Sequence, residues 1–231
     1  SSDLRYVEAL KAGDLPDEFR PLVDKLLYAP DRNSIEWKAL DSACEELKLA
    51  PQRLLADCGA IASPHDYHLN RFLFEHFPRG TAFGDLPAVS VPRDLPRASV
   101  SAFSIDDATT TEIDDAFSVT PLADGGKRVG IHIAVPALGV TVGSAFEAIA
   151  RTRLSSVYFP GRKITMLPDA VVDAYTLAQG AERPALSLYV DVSAEGAIVA
   201  TQTRCERVLV AVNLRHGELD QIGRAHADSS H

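Results

Sequence analysis

No run of about 18 uncharged apolar residues occurs anywhere in the 231-residue chain, which excludes a membrane-spanning helix. Cysteine is scarce. Cys44, Cys58 and Cys205 are odd in number and widely spaced, with no C-x-x-C pair and no His-x-His partner, so neither a disulfide framework nor a zinc site is expected. Free thiols suit a reducing compartment, and a cytoplasmic location is the expectation. The start lacks a basic stretch followed by an apolar one, so no signal peptide is expected. An excess of positive charge is also missing: 23 Lys and Arg stand against 32 Asp and Glu, a net of −9. At face value that opposes a polyanionic partner such as nucleic acid.

What is present is an apolar content of 46%, enough for one large domain or two small ones, and incompatible with disorder, collagen-like repeats or coiled coils. The chain opens at Ser1 and closes in the small, polar tract from Gly223 to His231. Either end is compatible with a processing boundary.

Residues 1–80 read as a helical domain. Phe19, Leu22, Val23, Leu26 and Leu27 recur at helical spacing. Asn33 and Ser34 cap a second helix with Ile35, Leu40, Ala43 and Leu47 expected inward, and Pro51 opens a third that Gly59 stops. The Ser63-x-x-Asp66 capping box opens a fourth, carrying Tyr67, Leu69, Phe72, Leu73 and Phe77. The helix pair over 34–59 has the outline of a helix-turn-helix. Its second helix offers only Arg53, beside Asp57, where a groove reader needs several polar or basic side chains on one face. A plain packing module and a DNA reader both remain open. His65, His68 and His76 lie on the fourth helix, and the two at i, i+3 lack a third ligand at metal-binding spacing.

Residues 81–98, rich in proline, read as a linker or extended strap. Strands follow over 99–105, 116–120 and 128–135, the last two joined by a hairpin turn at Asp124-Gly125-Gly126. Ser144 starts a helix to Leu154, a loop holds Tyr158 to Gly161, and a helix runs from Pro168 to about Gln179 with Gly180 as its cap. Strands over 185–192 and 197–210 close the pattern. The fold class expected is α+β: a helical, helix-turn-helix-like domain followed by a mixed α+β domain over 99–231 with antiparallel pairing.

One stretch stands apart. Asp106, Asp107, Glu112, Asp114 and Asp115 lie within ten residues with no Lys or Arg among them. Such carboxylates repel one another and raise each other's pKa unless a cation joins them. Phe103 and Ile105 on one side and Ile113 within the group tie them to core elements. Hard oxygen donors suit Mg²⁺ or Mn²⁺, while the missing glycine excludes an EF-hand loop. On spacing alone, a metal site and an acidic surface loop both remain open.

The stretch from Ser104 to Ala116 resembles the opening of the catalytic domain of the ribonuclease II and ribonuclease R (RNB-type) family. The likeness continues in order through Val129 to Ala134, Tyr158 to Pro168 and Glu182 to Ser187, and fades past Val210. The resemblance implies a Mg²⁺- or Mn²⁺-dependent exoribonuclease that shortens single-stranded RNA from its 3′ end to nucleoside 5′-monophosphates. It places metal-binding and catalytic roles on Asp106, Glu112, Asp114 and Asp115, and RNA contacts on Tyr158, which would stack on a base, and Arg183. Glu112 and Val135 depart from the family, which has Asp at both positions. The family's later basic barrel and gripping arginine have no counterpart here, so the likeness implies an amino-terminal portion of such a nuclease. The helical front resembles family members with a winged-helix-like start.

Two other readings stay open: a non-catalytic RNA-binding relative, and a helix-turn-helix DNA-binding protein. The charge total no longer decides. Residues 101–231 carry 11 basic and 16 acidic residues, and the five clustered carboxylates account for the whole excess. A bound divalent ion would invert that local sign.

Overall fold

A computed structural model of the protein describes residues 2–219. The polar tract from Gly223 to His231 lies outside the described residues. The chain divides into two units, Ser1–Ala82 and Phe83–His231.

The first unit is helical. It opens with α1 (Ser2–Lys11), whose Tyr6, Val7 and Leu10 are buried on one face. The single helix expected around Phe19 to Leu27 is divided, because Pro21 has no N–H to continue the ladder. A 3₁₀ turn over Asp17–Leu22 hands over to α2 (Val23–Tyr28). In α3 (Ile35–Leu47) the Ser34 hydroxyl accepts from the Trp37 amide at 3.1 Å, as the capping residue should. Its buried stripe is Ala39, Leu40, Ala43 and Cys44. Ile35 and Leu47, expected inward, are 50% and 38% exposed, because they sit at the first and last positions of α3, beyond that stripe. α4 (Pro51–Asp57) begins on Pro51, and Gly59 follows with φ +74°. Ser63 accepts from the Asp66 amide at 3.1 Å and donates to its carboxylate at 2.6 Å, opening α5 (Pro64–His76). Leu10, Phe19, Leu40 and Leu55 are fully buried at the centre. Arg53 Nε is 3.1 Å from Asp57, so the one base of the second helix in the helix-turn-helix outline is neutralised along its own helix.

The second unit begins with residues 83–96, which form no regular element. Leu86, Val89 and Val91 pack against Phe146, Leu167, Val171 and Tyr175, and the Tyr175 hydroxyl donates to the Ser90 carbonyl at 2.7 Å. Five strands then form a closed barrel: β1 (Arg97–Asp106), β2 (Asp115–Pro121), β3 (Lys127–Ala134), β6 (Glu182–Val192) and β7 (Ile198–Arg215), in that order. Between β3 and β6 lie α6 (Ala145–Arg153), capped by Ser144, the hairpin β4 (Val157–Phe159) and β5 (Arg162–Ile164), and α7 (Asp169–Tyr175).

Three expectations are corrected. Residues 158–161 are not a loop: Tyr158 and Phe159 belong to β4, and Pro160 and Gly161 make the hairpin turn, with Gly161 at φ +75° in the left-handed position. The helix after Pro168 stops at Tyr175, and Gly180 instead donates its N–H to Val210 at 2.8 Å. The pairing is antiparallel except where β7 meets β1 in parallel, from Arg97↔Arg207 to Asp106↔Arg215. That closure explains why β7 runs five residues past the expected end: its first part pairs with β6 and its last with β1.

Five strands enclose a narrow bore, and small side chains fill it. Ala98, Ala102, Ala116, Ala185, Val208 and Val210 are buried there with Ile113 and Leu177. Ser104, Ser118, His132, Ser187 and Glu206 are buried polar residues of the same strands. His132 is held at both ring nitrogens, by Ser118 at 2.9 Å and Ser187 at 2.8 Å, and the Tyr189 hydroxyl donates to Glu206 at 2.6 Å. A Cβ on Gly130 would stand 2.3 Å from the Ser118 hydroxyl, so this position has room only for glycine.

Candidate active site

The acidic residues sit at one end of the barrel. Asp106 is the last residue of β1 and Asp115 the first of β2, so the intervening loop caps that end. Ile113 is 4% exposed and belongs to the barrel core, which fixes Glu112 and Asp114 on either side of it. The backbone of Ile113 is gripped as well: its amide donates to the Thr176 hydroxyl at 2.7 Å, and its carbonyl accepts from Leu177 at 2.9 Å. Asp106 accepts a hydrogen bond from Ser104 at 2.5 Å, and Asn213 of β7 donates to that same serine at 2.8 Å.

Cations absent from the acidic stretch itself arrive from far along the chain. Lys163, on β5, forms an ion pair and hydrogen bond with Glu112. Arg215, at the end of β7, donates to the Asp107 carbonyl at 2.7 Å and the Thr110 carbonyl at 3.2 Å, clamping the loop by its backbone. His216 lies 3.7 Å from Asp107. Asp114 is exposed on its outer side, yet its carboxyl is held above the ordinary range, by partial desolvation first and then by the charges of Glu112, Asp115 and Asp106. Lys163 offsets only part of this. Burial of the Glu112–Lys163 pair is limited, and Glu112 in turn raises the lysine's pKa.

A cleft of about 560 Å³ opens beside the loop, lined by Thr109 to Glu112, Asp114, and the hairpin residues Tyr158, Arg162 and Lys163. A second, of about 530 Å³, shares Glu112, Asp114 and Tyr158 and continues over Ile133, Met166 and Tyr175. Tyr158 stands between them, 69% exposed. Structure thus brings Glu112, Asp114 and Tyr158 to shared walls, with Asp106 and Asp115 on the strand ends nearby. Arg183 lines neither cleft. Its guanidinium donates to the Thr176 carbonyl at 3.2 Å, which makes it a brace for the segment that grips Ile113. Val135, where the resembling family has Asp, is half-buried just after β3.

Lys163, Arg215, Asn213 and Thr176 were not singled out in the sequence. Lys163 lies inside the stretch from Tyr158 to Pro168, but nothing local ties it to a glutamate 51 positions away.

The sequence pattern of the RNB domain matches residues 93–221, more than half of the chain and beyond the expected fading at Val210. The chain belongs to the RNB domain family. Over 116 residues, half of this chain and 11% of each relative, it is 37% identical both to DIS3-like exonuclease 2 and to inactive exonuclease DIS3L2 of Arabidopsis thaliana. Ribonuclease R of Chlamydia muridarum is 34% identical over 121 residues, 52% of this chain and 18% of that protein. The chain therefore spans less than a fifth of these relatives. Among solved structures, an active-site mutant of the Dss1 exoribonuclease of Candida glabrata superposes with a TM-score of 0.73 at 17% identity, covering 96% of this chain and 33% of that one. Ribonuclease R of Mycoplasma genitalium, solved with ribose-methylated single-stranded RNA, gives 0.54 at 17% identity, covering 58% and 21%. At these identities the structures speak for the fold.

Among the described residues, no three His, Cys, Asp or Glu side chains stand together closely enough to hold an ion. The chemistry of the donors nevertheless fits a hard divalent cation: Asp106, Glu112, Asp114 and Asp115 offer hard carboxylate oxygens at one barrel end, and the Asp114 carboxyl is raised first by desolvation and then by the neighbouring carboxylates.

Proposed function

We propose that the protein is a divalent-metal-dependent exoribonuclease, acting in the cytoplasm on single-stranded RNA from its 3′ end and releasing nucleoside 5′-monophosphates. The observation that carries this reading is the placement of Asp106, Glu112, Asp114 and Asp115 at one barrel end, beside clefts whose shared wall is an exposed aromatic, Tyr158. Membership of the RNB family supports it.

Asp106, Glu112, Asp114 and Asp115 would hold Mg²⁺ or Mn²⁺. When bound, such an ion activates water and neutralises charge on the departing oxygen of a phosphodiester. The residues of the chain supply the rest. Tyr158 offers a flat face on which any base can stack, which gives grip without sequence preference. Asp106 is oriented by Ser104, and Ser104 by Asn213, so its carboxylate has a fixed direction. Asp115, at the start of β2, faces solvent at the loop's edge, where a scissile phosphate would approach.

The test is a 5′-labelled single-stranded RNA incubated with the protein and Mg²⁺ or Mn²⁺. Progressive shortening is expected, and Asp115→Asn should abolish it while RNA retention stays near normal; cleavage unchanged in that variant would defeat the assignment. A second reading, an RNA-binding relative without catalysis, is favoured by one observation: Lys163 already neutralises Glu112. Retarded but unshortened RNA would establish it. A DNA-reading alternative finds little support in the second helix of the pair, whose one base, Arg53, lies 3.1 Å from Asp57; a tight sequence-specific duplex footprint would favour it.

A further inference from the structure

We infer that the Glu112–Lys163 pair is a latch, which holds the β4–β5 hairpin and its Tyr158 against the acidic loop and competes with a divalent cation for Glu112. The inference rests on the cation-binding reading of these carboxylates. Three observations meet at this pair. Lys163 is the one side chain of the hairpin that forms an ion pair with the loop among the described residues. The hairpin is short, three residues in each strand, and its pairing is confined to Val157↔Ile164, Tyr158↔Lys163 and Phe159↔Arg162. A two-stranded ribbon of this size is marginal by itself and takes its position from what it packs on or pairs with. Finally, Glu112, Asp114 and Tyr158 are common to both clefts, so the latch sits on the partition between them.

Lys163 is cross-strand partner to Tyr158, and partners in a ladder move together. Holding the ammonium at Glu112 therefore fixes where the tyrosine stands. The ammonium and a divalent ion both seek the same carboxylate oxygens, so binding of one weakens the other by mutual linkage. An ion engaging Glu112 would release Lys163, loosen the hairpin and join the two clefts into one groove. Lys163 is thus a positioning residue, acting through Glu112 and Tyr158.

Mn²⁺ binding to the purified protein, followed by titration calorimetry, tests this together with amide hydrogen exchange over residues 157–164. Lys163→Met should bind Mn²⁺ several-fold more tightly than the unaltered protein and exchange its hairpin amides faster in the absence of metal. Lys163→Arg, which keeps the charge, should stay near the original on both measures. Added Mn²⁺ should speed hairpin exchange in the unaltered protein and have little further effect in Lys163→Met. Equal Mn²⁺ affinity in the unaltered and Met proteins would overturn the latch and leave the carboxylates as a cation site. No Mn²⁺ binding by either would overturn both readings.

Discussion

The helical unit excludes water with large side chains, Leu10, Phe19, Leu40 and Leu55, whereas the barrel strands bury alanine, valine, serine and a histidine bonded at both nitrogens, and the larger Ile113 and Leu177 come from the segments that connect them. Helices can shift apart until big residues interdigitate, but the bore of a five-stranded barrel is set by strand number and tilt, which favours small or hydrogen-bonded side chains at the inward positions of its strands. The difference extends to what each core is for. In the first unit burial is the product; in the second, the core exists to hold strand ends in register, and those ends carry the carboxylates. Hydrophobic bulk tolerates local repacking, whereas a satisfied polar core loses a partner for each group displaced.

The largest loss of stability is expected in the helical unit. Phe19→Ala should cost about 3–5 kcal/mol, as cavities in aliphatic cores do. The only tryptophan, Trp37, packs against that core, so a lowered urea midpoint in its fluorescence is the measurement. A cost below about 1 kcal/mol would mean that the helical core does not depend on the bulk of Phe19. In the barrel, adding a single methyl should suffice: Gly130→Ala places a carbon against Ser118 and His132 and should cost about 1–3 kcal/mol, read from thermal unfolding followed by circular dichroism. Ser34→Ala, which removes the cap of α3, should cost about 1 kcal/mol by the same Trp37 signal.

The smallest effect separates the two cores by pH. Burial lowers the His132 pKa below its ordinary 6.5, with Glu206 opposing. The unfolded chain then binds the proton more readily than the folded one, so stability is full above the unfolded value and declines as pH falls through 6.5, by at most one proton. His132→Gln should flatten that part of the curve, and an unchanged acid limb would show that the histidine is not the group responsible.

Much of the molecule was legible beforehand. Ser34, Pro51, Gly59 and Ser63 mark helix ends through local hydrogen bonding and backbone geometry, which need no distant partner. The alternation in β1, β2, β3 and β6 likewise reads from neighbours alone. The misses share a cause. The end of β7 depends on β1, more than 100 residues earlier, and the hairpin at Tyr158 depends on pairing of three-residue strands too short to show a period. Arg183, expected at the RNA, also donates from Nε to the Thr176 carbonyl, a contact that only its half-buried position reveals.

The sequence by itself determined the family, the clustering of Asp106, Glu112, Asp114 and Asp115, and the anchoring of Ile113 between two of them, because these are matters of residue type and short spacing. Only the tertiary structure decided which charges meet: Lys163 comes to Glu112 across 51 residues and Arg215 to the Asp107 and Thr110 carbonyls across more than 100. Coulombic and hydrogen-bond energies fall with distance in space, not along the chain, so the balance of the acidic loop is set by the hairpin that brings Lys163 and the barrel closure that brings Arg215 rather than by its own sequence.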